Sequence, residues 1–265
     1  MPEHRARRRV VFIALCSFAA AALAAAPAPA AQRSLVPAYF YPDWWNTGNP
    51  WYRMCDGMSA AGGTPIAVMN PASGPGTAAN PDYQQVIGYC HGRGRHVVGY
   101  VHTSYGARPL AAVRAEIDAT YAFYPAIDGI FLDEMSTDSS TRTYYRALHA
   151  YVKAKPGFHD VVGNPGAAAP TSWQLDAPVA DQVVVFEGTP AAFSRWTPPR
   201  WATTRPSQVA HLVYAAAGPT VIIAACARSK ALGGGWSYVT DDTLPNPWDT
   251  LPAPASWSAE ARACA

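Results

Sequence analysis

The chain has 265 residues, 49% of them hydrophobic and 14% charged, and a formal net charge of +2. This is too long for a small disulfide knot and apolar enough to bury a sizeable core, so an overall disordered chain is excluded. Residues 1–31 carry four Arg and one Glu, which leaves the remainder near −1, without the basic excess that nucleic-acid binding requires.

Residues 1–31 run HRARRR, then VVFIALCSFAAAALAAA, then PAPAAQ. A basic start, an apolar stretch and small residues at its end predict a secretory signal peptide cut near Ala31. Residues 32–265 would then act outside the cell or in the periplasm. No later stretch is apolar for long enough to span a bilayer, so no membrane contact is expected after cleavage.

Short apolar runs then alternate with helix-like stretches. The first is VPAYFYP (36–42), followed by a loop rich in aromatic residues from Trp44 to Tyr52. PIAVMNP (65–71) leads to a helix from about Asp82 to His91. HVVGYVHT (96–103) leads to the amphipathic 110–124, and GIFLDEM (129–135) to a helix over 141–155. DVVGNPG (160–166) and QVVVFEG (182–188) follow. QVAHLVYAA (208–216) leads to a helix over 220–232, and WSYVTDD (236–242) precedes an irregular, Pro-rich tail. Several runs are apolar on both faces, as strands between helices and a filled interior must be. Eight such units predict one (β/α)8 barrel, a fold of typically ~250 residues. An open doubly wound sheet fits less well, because YFYPDWW cannot cradle a phosphate after the first strand.

Barrel active sites gather where strands end. The polar residues at those ends are Tyr41 and Asp43, Asn70, His102 with Thr103 and Tyr105, Asp133 and Glu134, Asn164, Glu187, and Asp241 with Asp242. Most could equally cap the next helix. The carboxylates of the fourth and sixth strands differ, because an acid directly after apolar strand residues is costly unless paired or used. Neighbouring strand residues face opposite ways, so only one of Asp133 and Glu134 should point straight into the mouth. Acids from two strands converging on one pocket are what glycoside hydrolysis needs. A metal site has little support, with no C-x-x-C pair and with His91, His96, His102 and His211 scattered. No cofactor is expected.

The ordered segments VPAYFYP, VMNPASGPG, VVGYVHTSYGAR, YPAIDGIFLDEM, VVGNPG, VVVFEG and YVTDD with NPWDTLP resemble spherulation-specific family 4, the spherulin-4-like proteins, from about Val36 to Leu251. The resemblance implies a barrel glycoside hydrolase that cuts α-1,4-linked galactosamine or N-acetylgalactosamine polymers, with its functional acids at Asp133, Glu134 and Glu187. The expected reading is a secreted, monomeric, endo-acting hydrolase of an amino-sugar matrix polysaccharide. By analogy with α-glycosidase barrels, Asp133 is assigned as nucleophile, Glu187 as acid/base and Glu134 as their assistant. Tyr41, Asn70, Tyr105, Asn164 and Asp241 would hold the sugar, and Trp44 or Trp45 would stack on it. The alternative is a carbohydrate-binding or matrix protein that keeps the fold without turnover.

Four cysteines remain after the leader, which fits disulfides in an exported chain, and they allow three connectivities. Contact between neighbouring barrel helices, and closure of the tail beside the 220–232 helix, predict Cys55–Cys90 and Cys226–Cys264.

Overall fold

The computed structural model describes residues 1, 31–157, 159–176 and 178–265; apart from its two end residues, the expected leader lies outside them. Eight parallel strands close in sequence order into a barrel. They are β1 (Arg33–Ala38), β2 (Ile66–Met69), β3 (His96–His102), β4 (Gly129–Asp133), β5 (Asp160–Gly163), β6 (Gln182–Gly188), β7 (Val209–Val213) and β8 (Trp236–Val239). Around them lie α1 (Pro50–Gly57), α2 (Pro81–His91), α3 (Leu110–Phe123), α4 (Arg142–Lys153), α5 (Trp173–Asp176), α6 (Pro190–Arg195), α7 (Arg200–Thr203), α8 (Pro219–Ala231) and α9 (Pro254–Ala263).

Three helices start on the same two-residue device. Asn49, Asn80 and Thr189 cap α1, α2 and α6 through their side chains, and each is followed by a Pro, whose missing N–H costs nothing in the first turn. In α4 the buried residues Tyr145, Leu148, His149 and Val152 recur at helical spacing, and Tyr145, Leu148 and Val152 pack with Ile130 and Leu132 of β4. The intervening Phe131 instead joins Val162, Val184, Ala210 and Leu212 of the other strands in a separate cluster, as a residue facing the opposite way must. The same alternation therefore sends Asp133 inward.

The structure departs from the sequence reading in three places. β1 covers 33–38 rather than 36–42: its pairing with β2 ends at Ala38↔Met69, and the next N–H, of Tyr39, is taken by the Trp248 carbonyl at 3.0 Å. The units after β5 and β6 hold only short helices, because prolines at 165, 170, 178, 198, 199 and 206 interrupt any longer one. The tail is not irregular to its end, since α9 starts on Pro254 and packs beside α8.

Cys55 is bonded to Cys90, joining α1 to α2, and Cys226 to Cys264, joining α8 to the end of α9, with Cα separations of 5.2 and 4.9 Å. Each closes a loop of 35 or 38 residues, so its removal should cost on the order of 3–4 kcal/mol. The expected outcome is a matching drop in unfolding free energy for Cys226→Ala/Cys264→Ala in urea titrations. An unchanged midpoint would show that the closure contributes nothing. Among the described residues, no helix is long and apolar enough to cross a membrane.

Candidate active site

A cleft of about 440 Å³ opens at the C-terminal ends of the strands, and Asp133, Glu134, Asn164 and Glu187 all line it. Its centre is Asn164, which directly follows β5 and is buried. The Oδ1 of Asn164 accepts the Gly166 N–H at 2.9 Å, which turns the amide NH2 towards the acids. That group donates to Asp133 Oδ1 at 2.8 Å and to Glu187 Oε2 at 3.0 Å. The two carboxyl groups thus meet across one amide, and the oxygens facing it cannot lie further apart than these two bonds end to end.

Glu187 reaches this position through an irregularity in β6. Val184 pairs with Ala210, but the next partners are Phe186↔His211 and Glu187↔Leu212, with Val185 left over. Val184 packs in the same cluster as Phe131, Val162 and Leu212, whereas Val185 and Phe186 pack in other clusters, with α7 and with α6 and α8 respectively. The extra residue is a bulge, and it reverses the alternation so that the side chain after Phe186 points inward.

Glu134 enters the cleft by another route. β4 ends at Asp133, and Glu134 has φ +50°, so the chain turns and both acids line the same cleft. This corrects the expectation that strand alternation would separate them. The left-handed turn is held by the Glu134 carbonyl, which accepts from the Tyr105 N–H at 2.7 Å and from Thr103 Oγ1 at 2.8 Å. His102 Nδ1 lies 3.6 Å from Glu134 Oε2. Tyr105 has φ +56° and Ala215 φ +57°, so backbone strain gathers in loops at this end of the barrel.

Burial pushes the carboxyls of Asp133 and Glu187 above their ordinary range. Hydrogen bonds to Asp133 from the Tyr100 hydroxyl, the Glu134 N–H and Asn164 oppose this, while the Glu134 charge adds to it. For Glu187 the opposing donors are Asn164 and Trp248, and the charge of Asp133 pushes the same way as burial. The Tyr39 hydroxyl is raised well above its usual value by burial and by the nearby acids. Protons are therefore held in this cleft at higher pH than on free side chains. Among the described residues, no group of three or more His, Cys, Asp or Glu could hold a metal ion.

Of the sequence-predicted sugar contacts, Asn164 and Tyr105 line the cleft, and Tyr41, Trp44, Asn70 and Asp241 do not. Asn70 Oδ1 accepts the Gly74 N–H at 2.9 Å and closes its own loop. Beside Asp241, Asp242 staples the last loop through Thr243 N–H and Thr250. Tyr41 and Trp44 sit together outside the cleft, both bonded to Asp82. Sequence reasoning missed Tyr39, Tyr214 and Trp248, which line the cleft, and Tyr100, which holds Asp133. Tyr100 was accessible through alternation, since it lies two residues before His102 and opposite Phe131.

A closed barrel with paired, desolvated carboxyls at its C-terminal mouth is a layout on which acid–base or carboxylate chemistry can be built. The sequence matches the family model of spherulation-specific family 4 over residues 33–264, and the chain belongs to that family. It is 36% identical to spherulin-4 of Physarum polycephalum over 155 residues, which is 58% of this chain and 44% of spherulin-4; the match thus spans less than half of that relative. The fold is similar to that of Sph3 from Aspergillus clavatus, solved in complex with GalNAc. The TM-score is 0.71 at 22% identity, covering 88% of this chain and 98% of Sph3.

Proposed function

We propose that the protein is a secreted glycoside hydrolase that cleaves an α-1,4-linked galactosamine or N-acetylgalactosamine polysaccharide with two carboxyl groups. The observation that carries this reading is the Asn164 amide bonded to both Asp133 and Glu187 in one desolvated cleft. The family and the GalNAc-bound relative support the choice of sugar. Asp133, with three hydrogen-bond donors on its carboxyl group, suits the ionised nucleophile that attacks the anomeric carbon. Glu187, with burial and a neighbouring acid favouring its protonated form, protonates the departing glycosidic oxygen and then takes a proton from the incoming water. The bridged arrangement favours this retaining course. Bonds of 2.8 and 3.0 Å end to end fall short of the ~6.5–9.5 Å that an inverting pair leaves for a water. Glu134 and Tyr105 border the reacting pair and would position the sugar.

The decisive test is incubation with acetylated and deacetylated galactosaminan, followed by mass analysis. Hexosamine oligomers are the expected products; an intact polymer in both cases would leave only the binding-protein reading. N-terminal sequencing of the secreted form should begin near Gln32.

The Asn164 bridge gives a further expected outcome. Its hydrogen bonds hold the pKa values of both acids down, so Asn164→Ala should raise both. The nucleophile must be ionised and the acid protonated. Both limbs of the pH profile of kcat/KM should therefore move to higher pH, by on the order of one unit. A profile that loses height without moving would mean that Asn164 does not tune these groups.

A further inference from the structure

Beyond the cleft, the loop between β1 and α1 carries an assembly that the hydrolytic chemistry leaves unused. Tyr41, Trp44 and Trp45 are 49, 38 and 60% exposed, yet two of them are fixed by hydrogen bonds. The Tyr41 hydroxyl donates to Asp82 Oδ2 at 2.5 Å, and Trp44 Nε1 donates to Asp82 Oδ1 at 2.7 Å. Asp82 is itself held in the first turn of α2, where its N–H donates to Asn80 Oδ1 at 2.9 Å. Trp45 rests against both neighbours, with ring centroids 6.1 Å from Trp44 and 6.5 Å from Tyr41, and Tyr83 supports Tyr41 from the side at 6.1 Å. The polar edges of Tyr41 and Trp44 are therefore turned to the protein while much of all three rings stays in water. Rings ordered before any ligand arrives lose little entropy on binding one, and a clustered exposed apolar patch marks a binding surface more often than scattered rings do.

The charge around the rings narrows the ligand. The charged groups acting on the Tyr41 hydroxyl are both acids, Asp82 and Asp43. Aromatic faces beside carboxylates attract a cation through the ring quadrupole as well as through charge. An amino sugar offers either a neutral acetamide or, once deacetylated, an ammonium, and only the ammonium gains from both. The platform also lies within reach of the cleft. Tyr39 lines it, and the six-residue step from Tyr39 to Trp45 spans at most about 20 Å, the scale of a short oligosaccharide.

We propose that Tyr41, Trp44 and Trp45, with Asp43 and Asp82, form a rim subsite for an unacetylated, ammonium-bearing hexosamine residue of the polymer whose backbone enters the cleft. This rests on the proposed amino-sugar hydrolase function and adds a preference for chains of mixed acetylation, with the acetyl-free residue held on the rim.

The test is a binding titration in the Glu187→Gln background, where turnover does not consume the ligand, using galactosamine oligomers and N-acetylgalactosamine oligomers of equal length. The unacetylated oligomer should bind more tightly, on the order of tenfold, with the preference weakening as salt rises. Trp45→Ala should remove most of that gain, and Asp43→Asn should reduce the preference and its salt dependence. Trp45 is largely exposed, so its variant should melt like the parent. Equal affinity for both oligomers, or an affinity unaffected by Trp45→Ala, would overturn the rim subsite. Polymer cleavage by the parent enzyme separates the two ideas. Cleavage without Trp45-dependent binding removes the subsite alone, whereas Trp45-dependent binding without cleavage removes the hydrolytic reading alone.

Discussion

Glu187→Gln is expected to lower kcat by about 10²–10⁴-fold, the usual contribution of a positioned general acid, while leaving polysaccharide affinity largely intact. The Gln amide fills the same space and can still contact Asn164 and Trp248, but it has no proton to give to the glycosidic oxygen. A substrate with a good leaving group needs no such proton, so its bond should still be cleaved by this variant and a glycosyl-enzyme should accumulate. Asp133→Asn should be inactive on both kinds of substrate, because no leaving group replaces a missing nucleophile. Activity of Asp133→Asn on the activated substrate, together with its loss in Glu187→Gln, would exchange the two roles. Mass spectrometry of the intact protein, which detects the added sugar directly, checks the assignment independently of rate.

The second large effect concerns stability. Glu260 of α9 is fully buried, and burial pushes its pKa up to about 8 against a smaller pull from the Val239 N–H. His211 of β7 is also buried, with Nδ1 2.9 Å from Ser229 Oγ; burial, and secondarily Arg228, push its pKa down to about 3. Between pH 3 and 6.5 the unfolded chain takes up a proton at His211 that the folded chain refuses, so stability rises with pH by ~1.4 kcal/mol per unit. Between pH 4.5 and 8 the folded chain keeps a proton on Glu260 that the unfolded chain releases, so stability falls at a similar rate. The slopes cancel where the windows overlap, and these two groups give a plateau near pH 4.5–6.5 that declines on both sides. At pH 8 the parent should have lost about 2 kcal/mol relative to the plateau, and Glu260→Gln should remove that loss. Urea unfolding of both proteins at pH 5.5 and 8 provides the measurement. A parent equally stable at both values, or a variant with the same decline, would show that Glu260 does not carry it.

The sequence made the barrel legible because its strands are buried on both faces and follow one another around the ring. Chain order alone then gives neighbour relations, and with them the pairing of Cys55 with Cys90. The three acids were legible because charge is so rare inside these runs that FLDEM and VVVFEG stand out. The aromatic lining was hidden for the opposite reason. Tyr39, Tyr100 and Tyr214 sit among other rings, and composition does not separate a ring that packs from one that borders a cleft. Trp248 enters through a long loop whose carbonyl bond to Tyr39 joins residues more than two hundred apart, beyond the range of local pattern. Asn70 and Asp241 show the reverse error. Each ends a strand as a ligand-holding residue would, yet Asn70 closes its own loop, and the residue that ties down the last loop is Asp242 rather than Asp241.

The surplus residue in β6 makes the direction of Glu187 a matter of pairing. Loss of that residue would straighten the strand and leave Glu187 opposite Leu212, still facing inward. If β6 kept its length but paired with β7 in unbroken register, with Val185 opposite His211 and Phe186 opposite Leu212, the carboxylate would turn towards the helices and Phe186 would enter the mouth. Such a chain would still carry Asp133, Glu134 and Glu187 in unbroken order, and a motif search would score it as intact. Three acids in sequence are therefore not by themselves evidence that they share one cleft.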